Sequence, residues 1–367
     1  MTDTHASRPH ARQAALMRRA ALLDFPGSPK LGPGAKTAKE HTIRWLSRFD
    51  MVRDRSTLAE YEALDMDRLA AYFWPEAAGP DLEVAGDLHA WFIIFDDQFD
   101  GEMGEDPEAV SRFVEAVVRV TATPDGEALG APPSPLLLSF RDLWRRMNAG
   151  MPRGWQDRFR GHWRDYLRAH NREALTRTGH VFSSLATYLS VTRHTIGVQP
   201  CLDLIERFGG YTLPPALHDS ALFAAMREAA DDVVIFANDL ASLDKEMAAG
   251  DVHNSVIVLR DREGRTVDEA VRRVADLANS RYRGFEEAAA LLPALLADAG
   301  VVDPAGRRDA EHFVAGIGHV MCGNLGWSLH TSRYDQRGVE AVSRGRQRPW
   351  ADLAGREVAA RAGRSPD

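Results

Sequence analysis

Trp91-Phe92-Ile93-Ile94-Phe95-Asp96-Asp97-Gln98-Phe99-Asp100-Gly101 is the stretch on which the fold turns. Its first five residues are apolar whichever way a helix is rolled, and a helix that is apolar all round is a buried one. The pattern predicts a long helix from about Asp81 to Asp100, ended by Gly101. Three carboxylates where such a helix emerges are expensive unless something compensates them. Asp96 and Asp100 are four apart and share a face. Oxygens gathered in this way suit a hard cation, and Mg²⁺ is the natural choice. The ordinary alternative is a solvated helix end, but acids at a helix C-terminus oppose its dipole.

A second stretch repeats the logic. Val233-Val234-Ile235-Phe236-Ala237 is apolar and runs into Asn238-Asp239-Leu240-Ala241-Ser242-Leu243-Asp244-Lys245-Glu246. Asn238, Ser242 and Glu246 recur every four residues, drifting only about 40° per step, and so form one oxygen-bearing stripe. An amide oxygen, a hydroxyl and a carboxylate make a weakly charged Mg²⁺ site that leaves positions for water and phosphate oxygens. Lys245 can meet a phosphate as a point charge.

Working outward, the 367 residues are 44% hydrophobic and 27% charged, which is globular composition with material for a large core. A formal net charge of -8 argues against a general basic field for nucleic acid, so an anionic ligand needs a local cationic or metal site. Cys201 and Cys322 lack zinc-type spacing and are too few for a disulfide framework; they read as small core residues in a reducing cytosol. No run approaches the roughly 18–20 apolar residues of a membrane span. Arg18-Arg19 is not followed by a secretory apolar region. The expectation is a soluble cytoplasmic protein.

Helical periodicity takes over near Thr37, where Trp45, Phe49 and Val52 lie on one stripe. Further helices are expected over Leu137–Met147, Thr187–Thr195, Ser220–Met247, Glu269–Leu291 and Arg308–His330, with a loop over Thr121–Pro135. No useful alternating strand, Gly-rich phosphate loop or internal repeat is present. The economical reading is all-α: one helical domain over 37–336, a loose arm at 1–36 and a disordered Arg- and Gly-rich tail at 337–367.

The two oxygen-bearing stripes, with Arg333-Tyr334 at the end of the last long helix, resemble the aspartate-rich motif, the Asn/Ser/Glu triad and the C-terminal Arg-Tyr pair of class I terpene synthases. Together with His194-Thr195-Ile196-Gly197-Val198-Gln199-Pro200 they look closest to bacterial sesquiterpene cyclases of the pentalenene synthase type, over about Thr37 to Tyr334. The resemblance implies a helical barrel with both metal motifs at its mouth. It implies three Mg²⁺ ions held by Asp96, Asp100, Asn238, Ser242 and Glu246. Asp97 belongs to the motif but ranks lower, because in many relatives it points away from the metals. Arg333, Tyr334 and Lys245 would contact the diphosphate of a prenyl diphosphate, and Phe92 and Trp327 would face the carbocation from the cavity wall. Ionisation needs a neutralised leaving group rather than a protein nucleophile or base. The implied reaction is Mg²⁺-dependent cyclisation of farnesyl diphosphate to a sesquiterpene hydrocarbon or alcohol, with a diterpene cyclase as the alternative and a homodimer left open.

One departure stands out. Relatives usually carry two arginines before His-Thr-Ile-Gly, the first commonly regarded as the diphosphate sensor, whereas this chain has Thr192-Arg193. A residue turns about 100° around a helix, so Arg193 does not automatically inherit the role. Either it reaches in where the helix breaks, another arginine substitutes, or sensing is weakened. Gly316, Gly323 and Gly326 leave room for substrate or allow close helix packing. His194, His253 and His330 show no carboxylate partner at short range and read as structural or surface residues. Asp231-Asp232 reads as helix surface.

Rival readings explain less. A chain-elongating prenyltransferase would carry a second aspartate-rich motif where Asn238–Glu246 stands. An all-α Mg²⁺-dependent nucleotide pyrophosphohydrolase would need a base-stacking set. A helical scaffold would not need two cation-binding stripes.

Overall fold

The computed structural model describes residues 8–25, 29–100, 102–126, 134–179, 182–346 and 348–354. Among them no strand occurs, and the helices follow the sequence periodicity to within a few residues; the helix expected to reach Asp100 stops at Asp96, and residues 97–100 form a turn. The N-terminal third holds α1 (Arg8–Ala20), α2 (Ala35–Arg48), α3 (Arg55–Glu62), α4 (Met66–Phe73), α5 (Pro80–Asp96) and α6 (Pro107–Val120). The middle holds α7 (Pro135–Asn148), α8 (Arg153–Gly179), α9 (Leu185–Thr195), α10 (Val198–Gly209) and the single turn α11 (Pro215–His218). The last third holds α12 (Ala221–Ala249), α13 (Ser255–Glu263), α14 (Val267–Ala290), α15 (Leu292–Asp298), α16 (Pro304–Ser328) and α17 (Gln336–Ser343).

Local chemistry sets the long helices. Pro80 opens α5 at its first turn, where a missing N–H costs nothing. Ser220 caps α12 by accepting from Phe223 N, and Gly250, at φ 71°, ends it in the left-handed region that suits glycine. Thr266 and Glu269 form a reciprocal capping box on α14. Asp303 caps α16 through Gly306 N.

The centre of the molecule is α5 and α12. α5 is buried over almost its whole length and is packed by α2, α4 and α7. α12 is packed by α14, α16 and α17. Both carry their acids toward the same end of one cavity, walled by α4, α5, α8, α9, α10, α12 and α16. Beneath it Trp91, Phe95, Phe140 and Trp163 form a fully buried aromatic block, as expected for Trp91 and Phe95; Phe236 is buried likewise.

Both termini differ from the expectation. Residues 8–20 form a helix instead of a loose arm. It packs on α12, where Arg19 donates from Nε to the Leu240 carbonyl at 2.6 Å and pairs with Asp244 at 3.0 Å. The tail folds through α17 and onward to Trp350, which is fully buried, and Leu353, which is 1% exposed. Composition misled here because few apolar side chains sit among many arginines, yet those few find the core. Residues 1–7 and 355–367, and the loop segment 127–133, lie outside the described residues.

The glycines of α16 are settled in favour of packing. A Cβ on Gly316 would stand 2.8 Å from Ile205, and one on Gly323 2.8 Å from the Tyr72 Cβ. On Gly326 it would meet Pro29 and Tyr72. No helix among the described residues is long and apolar enough to cross a membrane.

Candidate active site

The cavity has a volume of about 230 Å³ and a polar mouth above an apolar interior. One wall of the mouth is the end of α5. Asp96 is its last residue, 48% exposed toward the cavity, with Asp100 beside it on the same lining. Burial in the surrounding protein, then the nearby Asp100, pushes Asp96 up to about 7. The facing wall is the end of α12, from which Asn238, Lys245 and Glu246 line the mouth. Burial and then Asp239 push Glu246 up to about 8. Both carboxylates are therefore held well above the usual carboxylate range in the bare protein, as acids are where burial and a neighbouring acid both disfavour the charged form.

Ser242, one turn from each of its stripe partners, is buried with its Oγ unpaired among the described residues. A buried hydroxyl oxygen without a partner, between an amide and a carboxylate on one helix face, fits a cation-ligand set, although Ser242 itself lies behind the cavity lining. Among the described residues no three His, Cys, Asp or Glu side chains crowd closely enough to hold a metal unaided. The oxygens instead come from two walls, and a bound anion would have to join them.

A supporting layer holds α12 in place. Tyr188 donates from its hydroxyl to both oxygens of Asp239, at 2.9 and 3.0 Å. Asn254 donates from Nδ2 to the Asp239 carbonyl at 2.8 Å and to Glu246 Oε2 at 2.6 Å. Sequence alone did not single out Tyr188, Asp239 or Asn254 for this role, because their partners are far away in the chain or on the loop after α12.

Asp97 does not face the cavity. It is 1% exposed and lies away from the cavity lining. Arg333 donates from Nη1 to its Oδ1 at 2.8 Å, and Trp350 donates from Nε1 to its Oδ2 at 2.9 Å. Burial alone would raise its pKa, but Arg333, helped by Arg348 and Lys245, outweighs that and holds it below the usual carboxylate range. Its placement therefore removes Asp97 from the candidate ligands. Arg333 itself does line the mouth, with Nη2 3.4 Å from Asp96 Oδ2. Tyr334 lines it too, and its hydroxyl accepts from Asn238 Nδ2 at 2.9 Å.

Arg193 is the clear correction among the basic residues. It turns outward into a fork on Asp232, with Nε 2.6 Å from Oδ1 and Nη2 2.8 Å from Oδ2, and pairs with Glu228 at 3.0 Å. Thr192 faces the cavity in its place. The helix does break here: Gly197, at φ 73°, separates α9 from α10, but the break does not bring Arg193 in. Asp231 and Asp232, expected on a surface, are buried, because Arg193, Arg281 and Gln199 supply their partners.

Phe92 and Trp327 both line the interior. Phe92 stacks on Trp163 with centroids 5.2 Å apart, and Trp327 is pinned by its Nε1 donating to the Leu64 carbonyl at 2.8 Å. His253 lines the mouth and does have a carboxylate neighbour, Asp251, at 2.9 Å, while His330 is held by the Gly326 carbonyl. His194 lies away from this cavity, in an outer hollow with Arg193. Both cysteines are free.

Known proteins resemble this chain in sequence and in fold. A family model described as terpene synthase family 2, C-terminal metal binding, matches residues 87–284. An isoafricanol synthase from Streptomyces violaceusniger is 58% identical, over 98% of this chain and 96% of its own length. A pristinol synthase from Streptomyces pristinaespiralis is 48% identical, over 92% of this chain and 90% of its own. The crystal structure of germacradien-4-ol synthase from Streptomyces citricolor matches with a TM-score of 0.75 at 30% identity, covering 84% of this chain and 98% of that one.

Proposed function

We propose that this chain, which belongs to the class I terpene synthase family, cyclises farnesyl diphosphate to a sesquiterpene alcohol and releases diphosphate. Membership makes it a lyase with the family's helical fold and a metal-binding domain. The finer reading is supported by one observation above all. Two acid-bearing helix ends meet across the mouth of a single cavity whose interior is aromatic.

Asp96 and Asp100 on one wall, with Asn238, Ser242 and Glu246 on the other, would hold Mg²⁺, three ions being the family expectation. Bound there, the metal would neutralise the charge growing on the departing diphosphate. Arg333, Lys245 and the Tyr334 hydroxyl would grip the same group, with Asp97 and Trp350 fixing the direction of Arg333. Phe92 and Trp327 would keep water from the allyl cation and stabilise it by roughly 0.5–2 kcal/mol each. With Arg193 turned away, the diphosphate grip falls to Arg333, Lys245 and Tyr334.

The alcohol follows the isoafricanol and pristinol synthases, which are named for alcohols. The cytoplasm is the proposed place of action. Incubation with geranyl, farnesyl and geranylgeranyl diphosphates and Mg²⁺, with products extracted and identified by mass spectrometry, tests the reading. The expected result is a cyclic sesquiterpene alcohol from farnesyl diphosphate. Turnover of geranylgeranyl diphosphate alone would replace it with a diterpene cyclase.

A further inference from the structure

His89 lies seven residues before Asp96 on α5, about 10 Å deeper at the helical rise, and both line the cavity. It is 3% exposed. Its Nδ1 sits 3.0 Å from the Ala85 carbonyl, which can only accept, so the proton is on Nδ1 and Nε2 carries a bare lone pair. That Nε2 is buried without a partner among the described residues. Burial pushes the imidazole down to about 4, so the ring is neutral at physiological pH.

Its neighbour Trp74 has the complementary defect. The two rings are 5.3 Å apart, and the Trp74 Nε1–H is also buried and unpaired. With the rings this close, one water accepting from Trp74 Nε1 and donating to His89 Nε2 would answer both defects after a small side-chain adjustment, and leaving both unpaired is costly. Phe73, edge-on at 5.0 Å, and Phe92 at 6.4 Å close the rest of the imidazole's surroundings. Phe73 and Trp74 also border a second hollow of about 370 Å³ that includes Glu76, Arg308 and His312, from which such a water can be replaced.

We propose that His89 Nε2 and Trp74 Nε1 hold a water at the cavity wall, and that His89 is the base through which this water ends the reaction as an alcohol. The inference rests on the cyclase reading above. The water oxygen gives a lone pair to the final carbocation and a C–O bond forms. One O–H bond then breaks with its electrons left on oxygen, and the proton passes to Nε2. The resulting imidazolium returns the proton to the departing diphosphate or to solvent when the site opens. A weak base suffices, because a protonated alcohol is far more acidic than this imidazolium. The edge-on rings and the bound water keep the imidazole nitrogen from being alkylated itself.

Products from farnesyl diphosphate in ¹⁸O-labelled water, normalised to diphosphate released, test this. The wild-type alcohol should carry the label. His89→Leu should lower the alcohol fraction at least about tenfold in favour of hydrocarbons. Trp74→Phe, which removes the donor and keeps an aromatic ring, should shift it the same way and gives a second reading if the His89 variant does not fold. Asn324, whose buried Oδ1 is a further orphan on this cavity, serves as the control. An unlabelled or purely hydrocarbon wild-type product would overturn the proposal, as would an unchanged alcohol fraction in both variants. A shift caused by Asn324→Leu and not by His89→Leu would overturn it too. Failure of the wild-type protein to consume farnesyl diphosphate would instead remove the cyclase reading beneath it.

Discussion

Adjacent in sequence, Asp96 opens onto the cavity while Asp97 is sealed beneath Arg333 and Trp350. Asp96→Asn is therefore expected to lower kcat by about 10²- to 10³-fold, the usual loss when one group stabilising a developing anion is removed, with helicity by circular dichroism unchanged. Asn238→Ala should act alike. The raised pKa values of Asp96 and Glu246 give a second expectation. In the bare fold they keep protons up to about 7 and about 8 that the unfolded chain loses in the ordinary carboxylate range. Their contribution to stability is thus lost as pH rises through those values. A cation favours the charged forms, so Mg²⁺ should bind more tightly as pH rises across that window. Calorimetry in buffers of different ionisation enthalpy should show release of on the order of one proton at neutral pH. No release would mean that these carboxylates do not face the metal. At this scale the sequence disclosed residue types and spacing but not direction. Asp97 and Arg193 looked like binding groups until buried partners, Trp350 and Asp232, showed where they point.

Among the helices, α5 and α12 were legible because continuous apolar runs leave no surface face, and the polar residues that end them stand out. α16 was legible as a helix but not in its packing, since spacing alone does not say whether a glycine faces a ligand or another backbone. Gly323→Ala should cost about 1–3 kcal/mol in chemical denaturation, because the new methyl meets Tyr72 in a crowded helix contact. The segment after α17 was not legible at all. Its hold on the molecule comes from Trp350, from Gln98 donating to the Trp350 carbonyl at 2.7 Å, and from Ala354 N donating to Gln98 at 3.0 Å. Trp350→Phe removes one donor from the buried Asp97 carboxylate and is expected to lower stability by about 1.5–3 kcal/mol, read from the denaturation midpoint.

For the molecule as a whole, the two acid-bearing helix ends are braced from outside by the first and last described segments, α1 on α12 and the tail on the turn after α5. The germacradien-4-ol synthase structure is matched over 98% of its length by only 84% of this chain, so part of this chain has no counterpart there. A site with unbalanced carboxylates on opposing walls should tighten when its ligands arrive. Mg²⁺ with inorganic diphosphate at a hundredfold excess over Kd should raise Tm by a few degrees, on the order of 2–5 °C. The most direct test of the account is a crystal structure grown with Mn²⁺ and inorganic diphosphate, with the metal located by anomalous scattering. Ions should lie against Asp96 and Asp100 and among Asn238, Ser242 and Glu246, with the diphosphate between them and in reach of Arg333, Lys245 and Tyr334. A diphosphate bound without metal, or metal placed away from both walls, would contradict it.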